Sequence, residues 1–346
     1  MEYGVQLWAG QSAKAVINSA TLALRYFDYH QLWVTDNFLQ TDPFTVLSVL
    51  AIKCDRKLGT DVTSVLRNPL DLASRFGAIQ ELSEDKEVAM GLGIGGTLQE
   101  RIFGRPRLSL LQESVRFLRE LLAGHTAYLS DYPEVCSFHH MKPSTPIAMK
   151  WVEQSHTPIY IAAGGPRTLA LAAQYGDGVI INQPQAMGSI PGLRNRVFQS
   201  AYESVGKEAF SQRKKIFSSS ISVSRNSDSA RARAKRHVSY GLVGTLRRYP
   251  HLLPIIDVRS DEIRQIDDAL ARGIDIEEAC KLLSDETLTK SGFCITGNPN
   301  ECLKQLSELH DLLEGLGFEQ IILGAPIGPD EREAFELIGK EILPSL

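Results

Sequence analysis

Residues 157–182 read T-P-I-Y-I-A-A-G-G-P-R-T-L-A-L-A-A-Q-Y-G-D-G-V-I-I-N. The apolar run at 159–162 predicts a short buried strand, and Pro166 has the fixed φ that is favoured at the first position of a helix. A helical pattern follows, and a second apolar run at 179–181 predicts another strand. The stretch therefore predicts a strand–loop–helix–strand unit, the repeating element of parallel α/β folds.

The loop of this unit, Ala163-Gly164-Gly165, predicts an anion site. Its glycines let a ligand approach the backbone closely, and the amides at the start of the helix favour negative charge. Arg167 adds a permanent positive charge at the same place. The alternative is that the loop only makes a tight turn between strand and helix, and these residues alone leave both interpretations open.

Short apolar runs alternate with helical patterns along the whole chain, as in this unit. The predicted strands are 3–7, 32–35, 57–62, 88–92, 159–162, 179–181, 216–223 and 320–323. A helical stretch follows each of them, and the last helix lies near 330–343. Eight strand–helix units predict an α/β protein with a single (β/α)8 TIM-type barrel. We expect one domain over residues 1–346, with insertions near 124–146 and 244–293.

Composition and charge narrow the class of protein. The chain has 43% hydrophobic and 23% charged residues, which is ordinary for a soluble globular protein. Its net charge of −4 and its short basic runs argue against a nucleic-acid partner. The five cysteines are widely spaced, and neither a signal peptide nor a membrane span is predicted. We therefore expect a cytoplasmic protein without a membrane partner.

If the chain forms a barrel, its ligand site lies where the strands end and the following loops begin. The residues at these positions are Gln6, Trp8, Thr35, Asp36, Asn37, Thr60 to Thr63, Gly93 to Gly96, Gly164 to Arg167, Asn182, Gln183 and Ala325 to Gly328. Asp36 is an ionisable group at such a strand end, so we predict a catalytic role for it. Its alternative role is to cap the next loop. Asp61 alone carries little signal, because aspartate is also a common turn residue.

A second glycine loop, 324–329, follows the last predicted strand, where many barrels hold phosphate. The helix after this loop begins Asp330-Glu331-Arg332-Glu333. Three carboxylates in its first turn satisfy the helix end and repel an anion. The loop after the fifth strand is therefore the favoured phosphate site.

The remaining motifs argue against several kinds of chemistry. The histidines are scattered without metal-ligand spacing, so we predict no metal site. Neither a G-x-S-x-G motif nor a cysteine at a strand end supports a hydrolase. Gly91, Gly93 and Gly96 have the spacing of a dinucleotide fingerprint but lack its acidic residue and helix. A phosphate-bearing organic redox cofactor is then the better explanation.

Six motifs resemble those of the bacterial-luciferase-like flavin oxidoreductase superfamily. They are L-W-V-T-D-N (32–37), K-L-G-T-D-V-T-S-V-L-R-N-P (57–69), G-L-G-I-G-G (91–96), P-I-Y-I-A-A-G-G-P-R-T-L-A-L-A-A (158–173), Y-G-D-G-V-I-I-N (175–182) and G-A-P-I-G-P-D (324–330). They occur in the family's order and cover nearly the whole chain. Within the superfamily, the R-N-P, I-Y-I-A-A-x-G-P and A-P-I-G-P patterns are most similar to the F420-dependent methylenetetrahydromethanopterin reductases.

The resemblance implies a TIM-type barrel with the cofactor at its C-terminal mouth, commonly in homodimers. It also implies a non-prolyl cis peptide bond at Asp61-Val62, in a bulge that lies against the cofactor ring. The cofactor would be coenzyme F420, with FMN as the alternative, and its phosphate would lie on Gly164 and Gly165. The predicted cofactor-binding residues are Asp36, Asp61, Val62, Thr63, Gly95, Gly96, Ala163, Gly164, Gly165, Arg167 and Asn182.

Two positions depart from the pattern of the reductases that the chain resembles. Asn37 stands where a histidine follows the aspartate, and Gln6 stands where they carry a glutamate. We assign both residues to the substrate site. The function expected is F420-dependent hydride transfer between the deazaflavin and a small organic substrate. An FMN-dependent monooxygenase and a non-catalytic flavin-binding barrel are the alternatives.

Overall fold

A ring of eight parallel strands forms the centre of the molecule. The computed structural model describes residues 1–152, 157–181, 198–248 and 258–346. The strands are β1 (Glu2–Leu7), β2 (Gln31–Val34), β3 (Lys57–Ser64), β4 (Val88–Gly93), β5 (Ile159–Ala162), β6 (Gly178–Ile181), β7 (Lys214–Val223) and β8 (Gln320–Ile327). They hydrogen-bond in the order β7-β8-β1-β2-β3-β4-β5-β6, and β6 pairs back with β7. The predicted (β/α)8 barrel and its eight strands are confirmed.

Helices surround this ring. They are α1 (Ala13–Tyr26), α2 (Pro43–Lys53), α3 (Pro69–Leu82), α4 (Thr97–Phe103), α5 (Leu108–Leu122), α6 (Pro133–His139), α7 (Pro166–Tyr175), α8 (Gln199–Val205), α9 (Lys207–Ser211), α10 (Ser227–Arg248), α11 (Ser260–Ala271), α12 (Ile276–Ala279), α13 (Asp285–Ser291), α14 (Pro299–Gly315) and α15 (Glu331–Leu337). Outward-facing strand residues such as Val5, Leu32 and Leu58 are buried beneath them in the main apolar core. In the part of the chain that the structure describes, no helix has both the length and the apolar character to span a bilayer.

Three of these helices begin with a capping side chain followed by proline. Asp42, Asn68 and Asn298 each accept an N–H of the first turn with a side-chain oxygen. Glu301 completes a capping box, because the Asn298 N–H donates to Glu301 Oε2 at 2.8 Å and the Glu301 N–H donates to Asn298 Oδ1 at 3.1 Å. The sequence P-N-E after Asn298 thus fixes where α14 begins.

The interior of the barrel is apolar at its centre and polar at its C-terminal mouth. Strand side chains alternate between the interior and the helix layer. The central layer is a buried cluster of Trp33, Ala89, Tyr160, Ile180, Ile216 and Ile322. Two residues further along β7 and β8, the interior positions are Ser218 and Gly324. The apolar layer therefore closes the barrel below a layer of small and polar residues.

Gly91 lies where β4 passes very close to β3. A Cβ atom at this position would lie 2.3 Å from the carbonyl oxygen of Thr60. We expect Gly91→Ala to lower the free energy of unfolding by about 1–3 kcal/mol or more, as overpacking of a core does. Urea denaturation measures this change. Gly315→Ala is the control, since nothing lies within 4 Å of its Cβ position, and equal stability of the two variants would contradict the prediction.

Two segments add structure outside the ring. Residues 124–146 contain α6, which lies between the short antiparallel strands Ala127–Tyr128 and Pro146–Ile147. Residues 244–293 begin inside α10 and include α11 to α13, which pack with α10 around a separate apolar cluster. The strand Cys294–Gly297 then pairs with the end of β7. The reading of both segments as insertions in a single domain stays a prediction.

Candidate active site

The carboxyl ends of the barrel strands open into a cavity of about 1030 Å³. This volume is large enough for a cofactor-sized ligand. The predicted site residues that line it are Gln6, Asp36, Asn37, Asp61, Val62, Thr63, Gly95, Gly96, Ala163, Gly164, Gly165 and Arg167. Asn182, the remaining residue assigned to cofactor binding, and Gln183, which follows it, lie outside the described residues. The structure thus brings together side chains from strands that are far apart in the sequence.

Gln6, Asp61 and Ser218 form a hydrogen-bonded cluster in the cavity wall. Gln6 Nε2 donates to Asp61 Oδ2 at 2.7 Å, and Ser218 Oγ donates to the same oxygen at 3.0 Å. The Ala325 N–H donates to Gln6 Oε1 at 3.2 Å. A Cβ atom on Gly324 would lie 2.7 Å from that oxygen, so glycine makes room for the Gln6 side chain. The cluster connects β1, β3, β7 and β8 at the mouth of the barrel.

Asp61 is the buried carboxyl group of this cluster. The residue is 8% exposed and still lines the cavity. Desolvation by burial raises the pKa of Asp61, and the hydrogen bonds from Gln6 and Ser218 offset this only in part. A carboxyl group with a raised pKa in a ligand cavity is a candidate for proton transfer.

β3 carries an irregularity beside this cluster. The peptide bond between Asp61 and Val62 is cis, as the family resemblance implied, and that prediction is confirmed. The pairing of β3 with β4 shifts register between Thr60 and Thr63. The backbone of β3 therefore bulges at the cavity, which places Val62 in its lining.

Asp36 is held by an arginine from the loop after β3. Arg67 Nε donates to Asp36 Oδ2 at 2.6 Å, and Arg67 Nη2 donates to Asp36 Oδ1 at 2.5 Å. Thr63 Oγ1 also donates to Asp36 Oδ2, at 2.5 Å. The Asp36 side chain is only 1% exposed, and the Arg67 guanidinium lies over the rings of Phe38 and Phe44. This carboxylate is therefore neutralised by a two-pronged ion pair.

The N-terminus of α7 forms another part of the cavity wall. Gly165 is the N-cap residue and has no side chain to accept the first-turn amides. Its own N–H donates to Thr168 Oγ1 at 3.2 Å. Arg167 is exposed in the cavity lining, so positive charge and helix amides lie together. This combination favours an anion.

The N-terminus of the helix after β8, the alternative anion site, is already capped by the side chain of its own N-cap residue. Asp330 is the N-cap residue of α15, and its Oδ1 accepts the N–H of Glu333 at 2.8 Å. Of the described residues in α15, none is among those that line the cavity. The geometry thus favours the α7 terminus over the α15 terminus as an anion site.

The sequence reasoning assigned no role to Ser218 and His237, which line the cavity, or to Arg67, which binds Asp36. Arg67 is the first residue of the R-N-P pattern, which supported the resemblance but received no role of its own. Ser218 belongs to a serine run in β7, and those polar residues in an otherwise apolar strand were the available signal. His237, on α10, lines the cavity and its Nε2 lies 2.9 Å from Ser220 Oγ. No local pattern places a residue of α10 at the mouth of the barrel.

The chemistry-bearing groups at the cavity are carboxyl, amide, hydroxyl, imidazole and guanidinium groups. Over the described ranges, no three or more His, Cys, Asp or Glu side chains are close enough to hold a metal ion. All five cysteines carry free thiols, and four of these residues are buried. None of the five lines the cavity.

Comparison with known proteins identifies the family. The sequence model of the luciferase-like monooxygenases matches residues 7–314 of this chain. The chain belongs to the luciferase-like monooxygenase family. The family prediction and the oxidoreductase class are therefore confirmed.

Members of the luciferase-like monooxygenase family that resemble this chain include named reductases and dehydrogenases. The chain is 30% identical to 5,10-methylenetetrahydromethanopterin reductase of Archaeoglobus fulgidus, over 92% of each protein. It is 26% identical to the F420-dependent glucose-6-phosphate dehydrogenase of Mycolicibacterium gilvum, over 84% of this chain and 79% of that protein. Its fold matches the coenzyme F420-dependent tetrahydromethanopterin reductase of Methanopyrus kandleri with a TM-score of 0.81. That match has 19% identity and covers 99% of both chains.

Proposed function

We propose that this luciferase-like protein is an F420-dependent oxidoreductase that transfers a hydride between the deazaflavin and a small organic substrate. The observation that carries the proposal is the composition of the cavity wall. This wall contains an uncapped helix N-terminus and a polar cluster around Asp61. The relatives named for F420 act on different substrates, which supports a shared cofactor more strongly than a shared substrate.

The α7 terminus fits the phosphate of such a cofactor. The Cβ position of Gly165 has no atom within 4 Å, so a phosphate can approach the backbone there. Ala163 and Gly164 line the same part of the cavity, and Arg167 supplies positive charge. We propose that these four residues bind the phosphate.

The bulge in β3 and the loop after β4 fit the flat ring system. Val62 and Thr63 lie on the bulge, and Gly95 and Gly96 leave space beside it. When bound, the deazaflavin supplies the hydride chemistry. The protein binds and orients both reactants, and correct positioning alone can lower a barrier by roughly 7–11 kcal/mol.

The ion pair with Arg67 changes the role that we assign to Asp36. Both oxygens of this carboxylate already accept hydrogen bonds, two from guanidinium N–H groups and one from a threonine hydroxyl. We propose that Asp36 is a positioning residue, which holds Thr63 and thereby the end of the bulge. Asn37 is exposed at the cavity and remains the better candidate for a direct substrate contact.

We propose a methylene-bearing tetrahydropterin as the substrate, because the relatives that resemble the chain include a reductase named for such a compound.

The homodimer, the cytoplasmic location and a role for Asn182 stay proposals as well. Light scattering coupled to size-exclusion chromatography measures the oligomeric state directly.

Titration with F420 and with FMN tests the cofactor. We expect F420 to bind at least about tenfold more tightly, which corresponds to about 1.4 kcal/mol. The measurement is the change in cofactor fluorescence on addition of protein. Tighter binding of FMN would favour a monooxygenase, and binding without oxidation of reduced F420 by 5,10-methylenetetrahydromethanopterin or acetone would favour a non-catalytic barrel.

A further inference from the structure

Asp61 differs from Asp36, another carboxyl group at the mouth of the barrel. Asp36 is neutralised by Arg67, whereas the partners of Asp61 are an amide and a hydroxyl group. Both of these partners donate to Oδ2. Within the described parts of the chain, no hydrogen bond to Oδ1 of Asp61 is formed.

The backbone fixes the orientation of the Gln6 amide. The Ala325 N–H can only donate, so the atom of Gln6 that faces it is the carbonyl oxygen. The NH2 group of Gln6 must then face Asp61, and it requires an acceptor there. Asp61 Oδ2 is therefore the accepting oxygen, and a proton on this carboxyl group belongs on Oδ1.

Among the described residues, no cation forms an ion pair with Asp61. Gln6 on β1 and Ser218 on β7 are uncharged, and Arg67 already holds Asp36 through both carboxylate oxygens. The other titratable or charged residues that line the cavity are Glu100, Arg105, Arg107, Arg167 and His237. A buried carboxyl group without a paired cation favours its neutral form.

We propose that Asp61 is held as a neutral carboxylic acid and gives its Oδ1 proton to the substrate during reduction, accepting it back in the reverse direction. This assignment rests on the proposed function of the cavity. Gln6 and Ser218 are positioning residues in it, because they select the oxygen that carries the proton.

The step balances with reduced deazaflavin as the hydride donor. A hydride leaves the cofactor with its bonding pair and forms a C–H bond at a substrate carbon that is bonded to nitrogen or oxygen. The electron pair of that carbon–heteroatom bond moves to the heteroatom, which takes the proton of Asp61. The carboxylate left behind accepts the N–H of Gln6 and the O–H of Ser218, and water returns a proton to it.

Infrared spectroscopy of the cofactor-free protein tests the protonation directly. We expect a carboxylic acid carbonyl band at pH 7 that is absent from Asp61→Asn and present in Asp85→Asn, a matched change at an exposed position. We also expect Ser218→Ala to shift the titration of this band to higher pH, because it removes a hydrogen bond that lowers the pKa of Asp61. A fully ionised Asp61 at pH 7 would overturn the proposal.

The pH dependence of unfolding gives a second readout without cofactor. A folded-state pKa above the unfolded value means that the contribution of Asp61 to stability is complete below the unfolded pKa and is lost as pH rises through the folded pKa. Asp61→Asn removes this loss. The ratio of the unfolding constants of the wild type and Asp61→Asn should therefore rise by up to about tenfold per pH unit across that interval. A ratio independent of pH would contradict the proposal.

Activity separates this proposal from the proposed function. With reduced F420 and 5,10-methylenetetrahydromethanopterin as probes, we expect Asp61→Asn to lose about 10²–10⁴-fold in kcat at saturating F420, as loss of a general acid does. If the wild type fails to bind F420, the proposed function fails, and the infrared result still stands. If the wild type turns over and Asp61→Asn turns over equally fast, the role of Asp61 is wrong and the function stands.

Discussion

Replacing Gly165 by aspartate is expected to weaken F420 binding about 100-fold, a loss of about 2.7 kcal/mol. The new carboxylate would lie at the N-cap of α7 and accept the first-turn amides that we assign to the phosphate. It would also repel a phosphate. Two unit charges 4 Å apart near a protein surface interact with about 4 kcal/mol, before screening by salt.

The same substitution is expected to leave the fold intact. No atom lies within 4 Å of the Gly165 Cβ position, and φ of −158° is extended backbone that any residue adopts. Aspartate is moreover a good N-cap residue, so the free energy of unfolding should change by only a few tenths of a kcal/mol. Unfolding in urea measures this, and fluorescence titration measures the affinity.

Gly165→Asn is the matched control for charge. Asparagine caps a helix about as well as aspartate and competes for the same amides, but it carries no charge. We expect it to weaken binding clearly less than Gly165→Asp does. If Gly165→Asp binds F420 with unchanged affinity, the phosphate lies elsewhere in the cavity.

The largest expected loss of stability comes from Arg67→Met. Methionine keeps much of the length and the apolar contacts of the arginine stem against Phe38 and Phe44. It removes the guanidinium, however, and with it two of the three hydrogen-bond donors described above for the buried Asp36 carboxylate, so that the Thr63 hydroxyl remains. Breaking a buried pair in this way costs about 3–5 kcal/mol. The midpoint of urea denaturation should fall, with the slope unchanged.

An exposed ion pair of the same chemistry provides the comparison for Arg67. Arg225 Nη2 lies 2.7 Å from Glu341 Oε1, but the two side chains are 66% and 40% exposed. Arg225→Met should therefore cost no more than about 1 kcal/mol. If the two variants lose equal amounts of unfolding free energy, the burial of Asp36 contributes little to the strength of its ion pair. Partial recovery in the double variant Arg67→Met with Asp36→Leu would support the assignment, since no buried charge is then left unpaired.

The architecture was predictable because each barrel strand is a short apolar run in front of a helical pattern. Turn and cap signals were equally local, as at Asn298 and Glu301, where both halves of the capping box lie within four residues. The start of the second predicted insertion was harder to place. Its predicted start, Gly244, looks like a helix breaker in sequence, but α10 continues through it to Arg248. A single glycine costs a helix only about 1 kcal/mol, which tertiary packing can offset.

The pairings within the cavity were not predictable in the same way. Asp61 and Ser218 are 157 residues apart in the chain, and Asp36 and Arg67 are 31 apart. The sequence predicted that most of these residues lie at strand ends. Which of their side chains contact one another, however, depends on the register and closure of the barrel. Asp36 was therefore expected to be available for catalysis, because nothing local to it indicates Arg67. The cis bond at Asp61-Val62 was predicted from the family resemblance and from no local pattern.

The hydrogen bond from Ala325 to Gln6 has a consequence for the order of synthesis. One of its partners lies in β1, the first strand of the ring, and the other lies in β8, the last strand of the ring. Until β8 leaves the ribosome, β1 lacks a neighbour on one side, the ring is open, and the Gln6 carbonyl oxygen lacks the donor that fixes its orientation. In a nascent chain the ring therefore closes only after β8 has been made, and a ligand that needs the whole mouth of the barrel binds after that step.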